Sequence, residues 1–174
     1  MNKDLKNKRI TFTMHAQSKL TTQLFNSIQL NNLSLLKSLL ESNESNKSNI
    51  TYKYINAYIF CNSSYSFTGF TPLVHAIDKF YNDMVLLLLQ HKANPDTICN
   101  NWSPLMHACN NNNIQAIRYL IQYNANVNYT SDISYSFQKS NKLSCLYMSC
   151  MNDSPADIIE LLLINNADPN ICDT

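Results

Sequence analysis

One short pattern recurs at a fixed distance in this 174-residue chain and limits what it can become. Thr71-Pro72-Leu73 opens one stretch, and Ser103-Pro104-Leu105 opens another 32 residues later. In both, a hydroxyl side chain can cap the free amides of a first helical turn. Proline then fits the first helical position, where no N–H is required. Leu73, Ala76 and Ile77 follow at helical spacing, and a second apolar run, Met84 to Leu89, ends at Lys92-Ala93-Asn94-Pro95. Leu88-Leu89 lies 17 and 18 residues after Thr71, and Leu120-Ile121 lies equally far after Ser103. Two short helices joined by a tight turn leave an apolar face uncovered, so each pair needs a stacked neighbour. The chain is therefore read as an array of helix pairs.

A period near 33 with a T-P-L-x-x-A opening is the signature of the ankyrin repeat, and the chain resembles that family over about 22–173. The resemblance implies a mainly α solenoid in which each repeat is a β-hairpin finger plus an antiparallel helix pair. About four repeats are expected, at roughly 22–44, 68–100, 101–128 and 142–173. They form a repeat domain over 21–174, after a polar and basic lead-in at 1–20. In the first repeat Thr22 leads to Leu39-Leu40 by the same spacing, with Gln23 in place of the proline. Cys145 takes that place in the last repeat. The four paired positions, ending in Leu162-Leu163, are expected to form one buried ridge.

The period fails twice, at 45–66 and 129–141, which reads as two enlarged fingers. The first insertion is aromatic and β-branched from Tyr52 to Phe60, with a turn expected at Cys61-Asn62-Ser63-Ser64. Because loop-closure entropy grows slowly with length, deletion of Ser48–Ser63 is expected to be tolerated. The tetrapeptide Ser64-Tyr65-Ser66-Phe67 returns as Ser134-Tyr135-Ser136-Phe137 in the second insertion.

The chain contains a single glycine, Gly69, and 26 asparagines. In the family, glycine usually closes both helices of a repeat, where a left-handed backbone is needed. Those positions are Asn31, Asn43, Phe80, Lys92, Asn112, Asn124, Asp153 and Asn166. Asparagine tolerates that conformation better than other non-glycine residues, so five of the eight are explained. Phe80 and Lys92 are not.

Charged residues make up 14% of the chain against roughly 25% in soluble domains. The net charge of +1 provides no field for nucleic acid or an anionic membrane surface. No run reaches the ~20 apolar residues of a membrane span, and no signal-peptide core follows the basic N-terminus. Six cysteines without a C-x-x-C motif read as reduced thiols, which points to the cytoplasm, a host cell's own were the source a virus or intracellular microbe. His75 and His107 occupy equivalent positions and are assigned structural roles. Cys145, Cys150 and His107 lack zinc-ligand spacing, and no nucleophile elbow or phosphate-binding glycine loop is present. No catalytic residue, metal ligand, cofactor or small-molecule substrate is expected. The run Asn110–Asn113 reads as a solvated turn.

The resemblance implies protein–protein recognition through finger tips and the inner face of the first helices. Phe70, Trp102 and Leu143 each precede a repeat opening, and they are expected to form a ladder along that face. Asp78, Lys79, Asn110 and Asn111 supply its polar rim. The leading reading is a non-catalytic interaction module with a protein partner. The alternative is a regulatory or targeting domain of a larger enzyme, or of a ubiquitin-ligase-type adaptor, whose other part lies outside the chain.

Overall fold

The structure, a computed structural model, describes residues 19–41, 54–63, 66–133 and 141–171. Among the described residues eight helices form four pairs: α1 (Lys19–Gln29) with α2 (Leu33–Glu41), α3 (Pro72–Asp78) with α4 (Asn82–Gln90), α5 (Pro104–Asn110) with α6 (Ile114–Gln122), and α7 (Cys145–Met151) with α8 (Ala156–Ile164). First helices pack on first helices and second on second, so two layers run through the array. The apolar positions of both layers merge into one core from Leu24 to Leu162. Helices of seven to eleven residues are too short to persist alone, and lateral stacking stabilises them.

Each opening behaves as its chemistry requires. Thr71 Oγ1 accepts a hydrogen bond from the Val74 N–H at 3.3 Å, Ser103 Oγ from Met106 at 3.2 Å and Ser144 Oγ from Tyr147 at 3.1 Å. Asparagine performs the same task for two second helices. Asn32 Oδ1 accepts from the Leu35 N–H at 2.9 Å and Asn113 Oδ1 from Ala116 at 3.1 Å.

The closures are left-handed. Asn31, Phe80, Lys92, Asn112, Asn124, Asp153 and Asn166 all have φ between 48° and 68°. At Lys92 the closure is a Schellman motif: the Ala93 N–H bonds to the Leu88 carbonyl at 2.9 Å and the Lys92 N–H to Leu89 at 3.0 Å. The same pair of bonds recurs at Asn31, Phe80, Asn112, Asn124 and Asn166. Asn43 lies outside the described residues. Phe80 and Lys92 thus take the left-handed form without the side-chain chemistry that eases it. The two backbone bonds at each site hold them there against a cost of about 1–2 kcal/mol.

The first enlarged finger is an antiparallel hairpin of β1 (Ile59–Ser63) and β2 (Ser66–Phe70), with Ile59 opposite Phe70. Cys61–Ser63 belong to β1 rather than to the expected turn at 61–64, whose last residue lies outside the described residues. The second enlarged finger pairs β3 (Thr130–Ile133) with β4 (Asn141–Ser144). The remainder of that insertion, with its repeated tetrapeptide, lies outside the described residues. Between them, the finger of the third helix pair shrinks to a bridge. Cys99 and Trp102 exchange both backbone hydrogen bonds, at 2.8 and 2.9 Å, around Asn100 and Asn101 with φ of 52° and 69°. Positive φ at both central residues marks a type I′ turn.

Three expectations need correction. Ile55, inside the first insertion, is 0% exposed and belongs to the core, and Tyr54 packs beside it. Deleting Ser48–Ser63 would open a hole there, so that insertion is anchored rather than dispensable. The run Asn110–Asn113 is more than a solvated turn, because Asn113 is buried and caps α6 while Asn112 closes α5. The ridge is continuous through Leu40, Leu88, Leu89, Leu120 and Leu162, with Leu39 and Ile121 half-buried, but Leu163 is 45% exposed.

Two stability outcomes follow. Leu88→Ala, at a wholly buried position in the middle of the ridge, should lower the unfolding free energy in urea by about 2–5 kcal/mol. A loss below about 0.5 kcal/mol would refute the stacking register. Lys92→Gly should raise stability by about 0.5–1 kcal/mol, relief of the left-handed backbone exceeding the extra chain entropy of glycine. A decrease would show that the lysine stem contributes more than the strain costs.

Candidate protein-interaction face

The type I′ turn at Asn100-Asn101 delivers Trp102 to the start of α5, and β2 delivers Phe70 to the start of α3. Both rings meet the same side chain. The imidazole of His107, on α5, lies 5.4 Å from the Trp102 ring and 6.3 Å from the Phe70 ring, edge-on to each at 67° and 68°. Such tilted contacts suit aromatic quadrupoles. Phe70 and Trp102 remain half-buried while His107 is buried.

The polar atoms of that imidazole are held on both sides. Its Nδ1 lies 3.3 Å from Asp78 Oδ1 and its Nε2 lies 3.4 Å from the Cys99 carbonyl. Asn111 Nδ2 donates to the same Asp78 Oδ1 at 3.0 Å, which ties α3 to the end of α5. Lys79, next to Asp78 in sequence, is exposed.

Phe70, Trp102, Asp78 and Asn111 therefore converge around His107. Asn110 turns toward the next repeat, its Oδ1 accepting from Asn152 Nδ2 at 3.4 Å. Leu143 sits one finger further along, on β4 opposite Ser131, with its half-buried side chain against the core. His107 joins the rings of successive fingers, a role that residue type alone does not announce. The available signal was its 32-residue spacing from His75 between two aromatic finger residues.

His75, one repeat earlier, instead bridges α3 to α1. Its ring stacks on Phe25 at 5.4 Å and 30°, and its Nε2 lies 3.0 Å from Gln29 Oε1. Burial pushes its pKa below the ordinary histidine value; Lys79 pushes it further down, and Asp78 opposes both.

Little on this face suggests bond-making chemistry. The thiol of Cys99 is pushed up by burial. That of Cys145 is raised by a hydrogen bond with Cys109, then by burial. Raised thiols are poor nucleophiles. Among the described residues no cluster of three or more His, Cys, Asp or Glu could hold a metal ion. No helix among them is long and apolar enough to cross a membrane. A shallow groove between α2 and α4, holding Leu33 and Leu87, lies in the second-helix layer, apart from the aromatic cluster.

Stacked helix pairs with hairpin fingers define a repeat solenoid, whose surfaces rather than its interior are available for recognition. The family model described as ankyrin repeats, three copies, matches residues 5–131 and again 93–173. The protein belongs to the ankyrin repeat family, whose members are generally protein–protein interaction modules and typically non-catalytic. No curated protein matches the chain.

The His75 bridge has a pH signature. An unfolded histidine titrates near 6.5 and the folded one lower, so between the two values the unfolded chain holds more protons. The stability contributed is full above about 6.5 and is lost as pH falls through the folded value. The urea midpoint should therefore drop further from pH 7.5 to 5.0 in the native chain than in His75→Gln. Equal drops would refute the bridge as a titrating element.

Proposed function

We propose that this chain is a non-catalytic module that binds a protein partner through its finger tips and the exposed face of its first helices. The observation that carries this reading is the half-buried pair Phe70 and Trp102, held on one imidazole and bordered by Asp78, Asn111 and Lys79. Large, rigid aromatic groups with a polar border suit a partner's apolar side chain flanked by hydrogen-bond donors. Tryptophan is enriched among residues that dominate interface energy. Asn110 and Leu143 extend the same face along the array. The buried thiols Cys99, Cys109 and Cys145, all free, support a reducing compartment such as the cytoplasm.

Because Trp102 also touches the core, its loss alone confounds folding with binding. Lys79 does not carry that ambiguity. Affinity capture with the intact chain should retain a partner that Trp102→Ala retains at least about thirtyfold less well, equivalent to about 2 kcal/mol. Lys79→Glu should weaken capture while leaving the urea midpoint unchanged. If neither variant alters capture, or if Trp102→Ala loses binding only in step with stability, this face is a structural strut.

A further inference from the structure

Three apolar side chains stand where the other repeats place polar or charged ones, and all three lie in the first two helix pairs. Leu86 of α4 is half-buried at the outward position where Lys37, Arg118 and Glu160 are exposed. Phe80 occupies the left-handed closure held elsewhere by Asn31, Asn112 and Asp153, and it is 54% exposed. Leu30, 72% exposed, occupies the position of Lys79, Asn111 and Asn152. Phe80 is costly on two counts, because its backbone is held at φ 58° and its ring gains little burial. Backbone strain of that kind gathers at binding and switch sites.

The three residues belong to one surface. α2 and α4 pack side by side in the second-helix layer and leave a groove of about 340 Å³, lined by Leu33, Leu86 and Leu87. Leu30 and Phe80 sit in the turns that lead into α2 and α4, so they flank the N-terminal end of that groove. An exposed apolar strip of this kind marks an interaction surface. The groove opens sideways between two repeats already stacked on each other, so further repeats at either end of an array would leave it open.

Charge and length narrow what can lie there. Asp83, in the first turn of α4, lines the same N-terminal end, and no cation pairs with it among the described residues. Toward the other end Lys37 Nζ lies 3.7 Å from Glu41 Oε1, so those two charges offset each other. Two helices of nine residues present about 13 Å of groove. A third helix nests in such a groove by setting its ridge of side chains between theirs. That length matches apolar residues at i, i+4 and i+7. A shallow groove does not enclose a small ligand, whose sites bury most of its surface.

We infer that the groove between α2 and α4 docks an amphipathic helix of a partner protein, its apolar anchors against Leu33, Leu86 and Leu87 and a lysine or arginine meeting Asp83. Leu30 and Phe80 cover the end of that helix. A second copy of this chain lacks the required charge. Its α8, which exposes Leu163 and Ile164, carries Asp157 and Glu160 and no basic residue, so it would set like charges against Asp83. The groove is distinct from the aromatic face around His107, so either surface can fail without the other.

The probe is a synthetic lactam-stapled helix with leucines at i, i+4 and i+7 and a lysine near one end. It is titrated into the full chain and followed by amide chemical shifts. Docking predicts shifts at Leu33, Leu86 and Leu87 and none around Trp102. Leu86→Arg, which copies the third helix pair, should weaken the probe at least about tenfold while leaving the urea midpoint nearly unchanged. Phe80→Asn, which copies the other closures, should weaken it while raising the urea midpoint, a split that a structural role for the ring would not give. Binding should fall with added salt in the native chain and lose that dependence in Asp83→Asn. The proposal is overturned if millimolar probe moves no shift in the groove, if Leu86→Arg binds as the native chain does, or if a probe with glutamate in place of lysine binds equally well. Reversible dimerisation of the native chain, abolished by Leu86→Arg in sedimentation equilibrium, would assign the groove to a second copy and overturn it equally.

Discussion

Every turn of this solenoid depends on one backbone device, the left-handed residue that closes a helix and returns the chain. Seven such closures occur among the described residues, and none uses glycine. Six carry both bonds of the Schellman motif, so the last carbonyls of each helix are satisfied within three residues. The closure also positions the residue after it. Ala93, Ala125 and Ala167 follow three of these sites, and all are buried. Their small side chains let the chain leave each second helix close against the stack. Once the closures are fixed, the helix pairs share one shape, and identical shapes stack.

Asparagine recurs because it meets several such demands with one side chain. It tolerates positive φ, caps helices at Asn32 and Asn113, and supplies acceptors along the finger tips. Asn113 caps α6 and also donates to Asn82 Oδ1 at 2.9 Å, joining adjacent second helices. Much of the polar bonding between repeats is thus uncharged, consistent with 14% charged residues. Neutral amide bonds of this sort are indifferent to salt, unlike surface ion pairs.

Order within the stack decides which side chains of different repeats meet. Phe70 and Trp102 belong to different fingers, and only the stacking of α3 on α5 brings both to His107. Both are half-buried apolar groups in an otherwise amide-rich exterior.

The sequence by itself determined the architecture, because hydroxyl-proline caps, paired leucines and left-handed closures are local demands repeated at one period. Thr71, Ser103 and Ser144 announce helix starts, and the seven left-handed sites could be numbered from spacing alone. Tertiary structure decided what spacing does not encode. It placed Ile55 of the insertion in the core, gathered Phe70, Trp102, Asp78 and Asn111 on His107, and exposed Leu163 where Leu40 and Leu89 are buried and Ile121 is half-buried. These outcomes depend on which neighbour lies across an interface, and a period fixes the neighbour's shape without fixing its side chains.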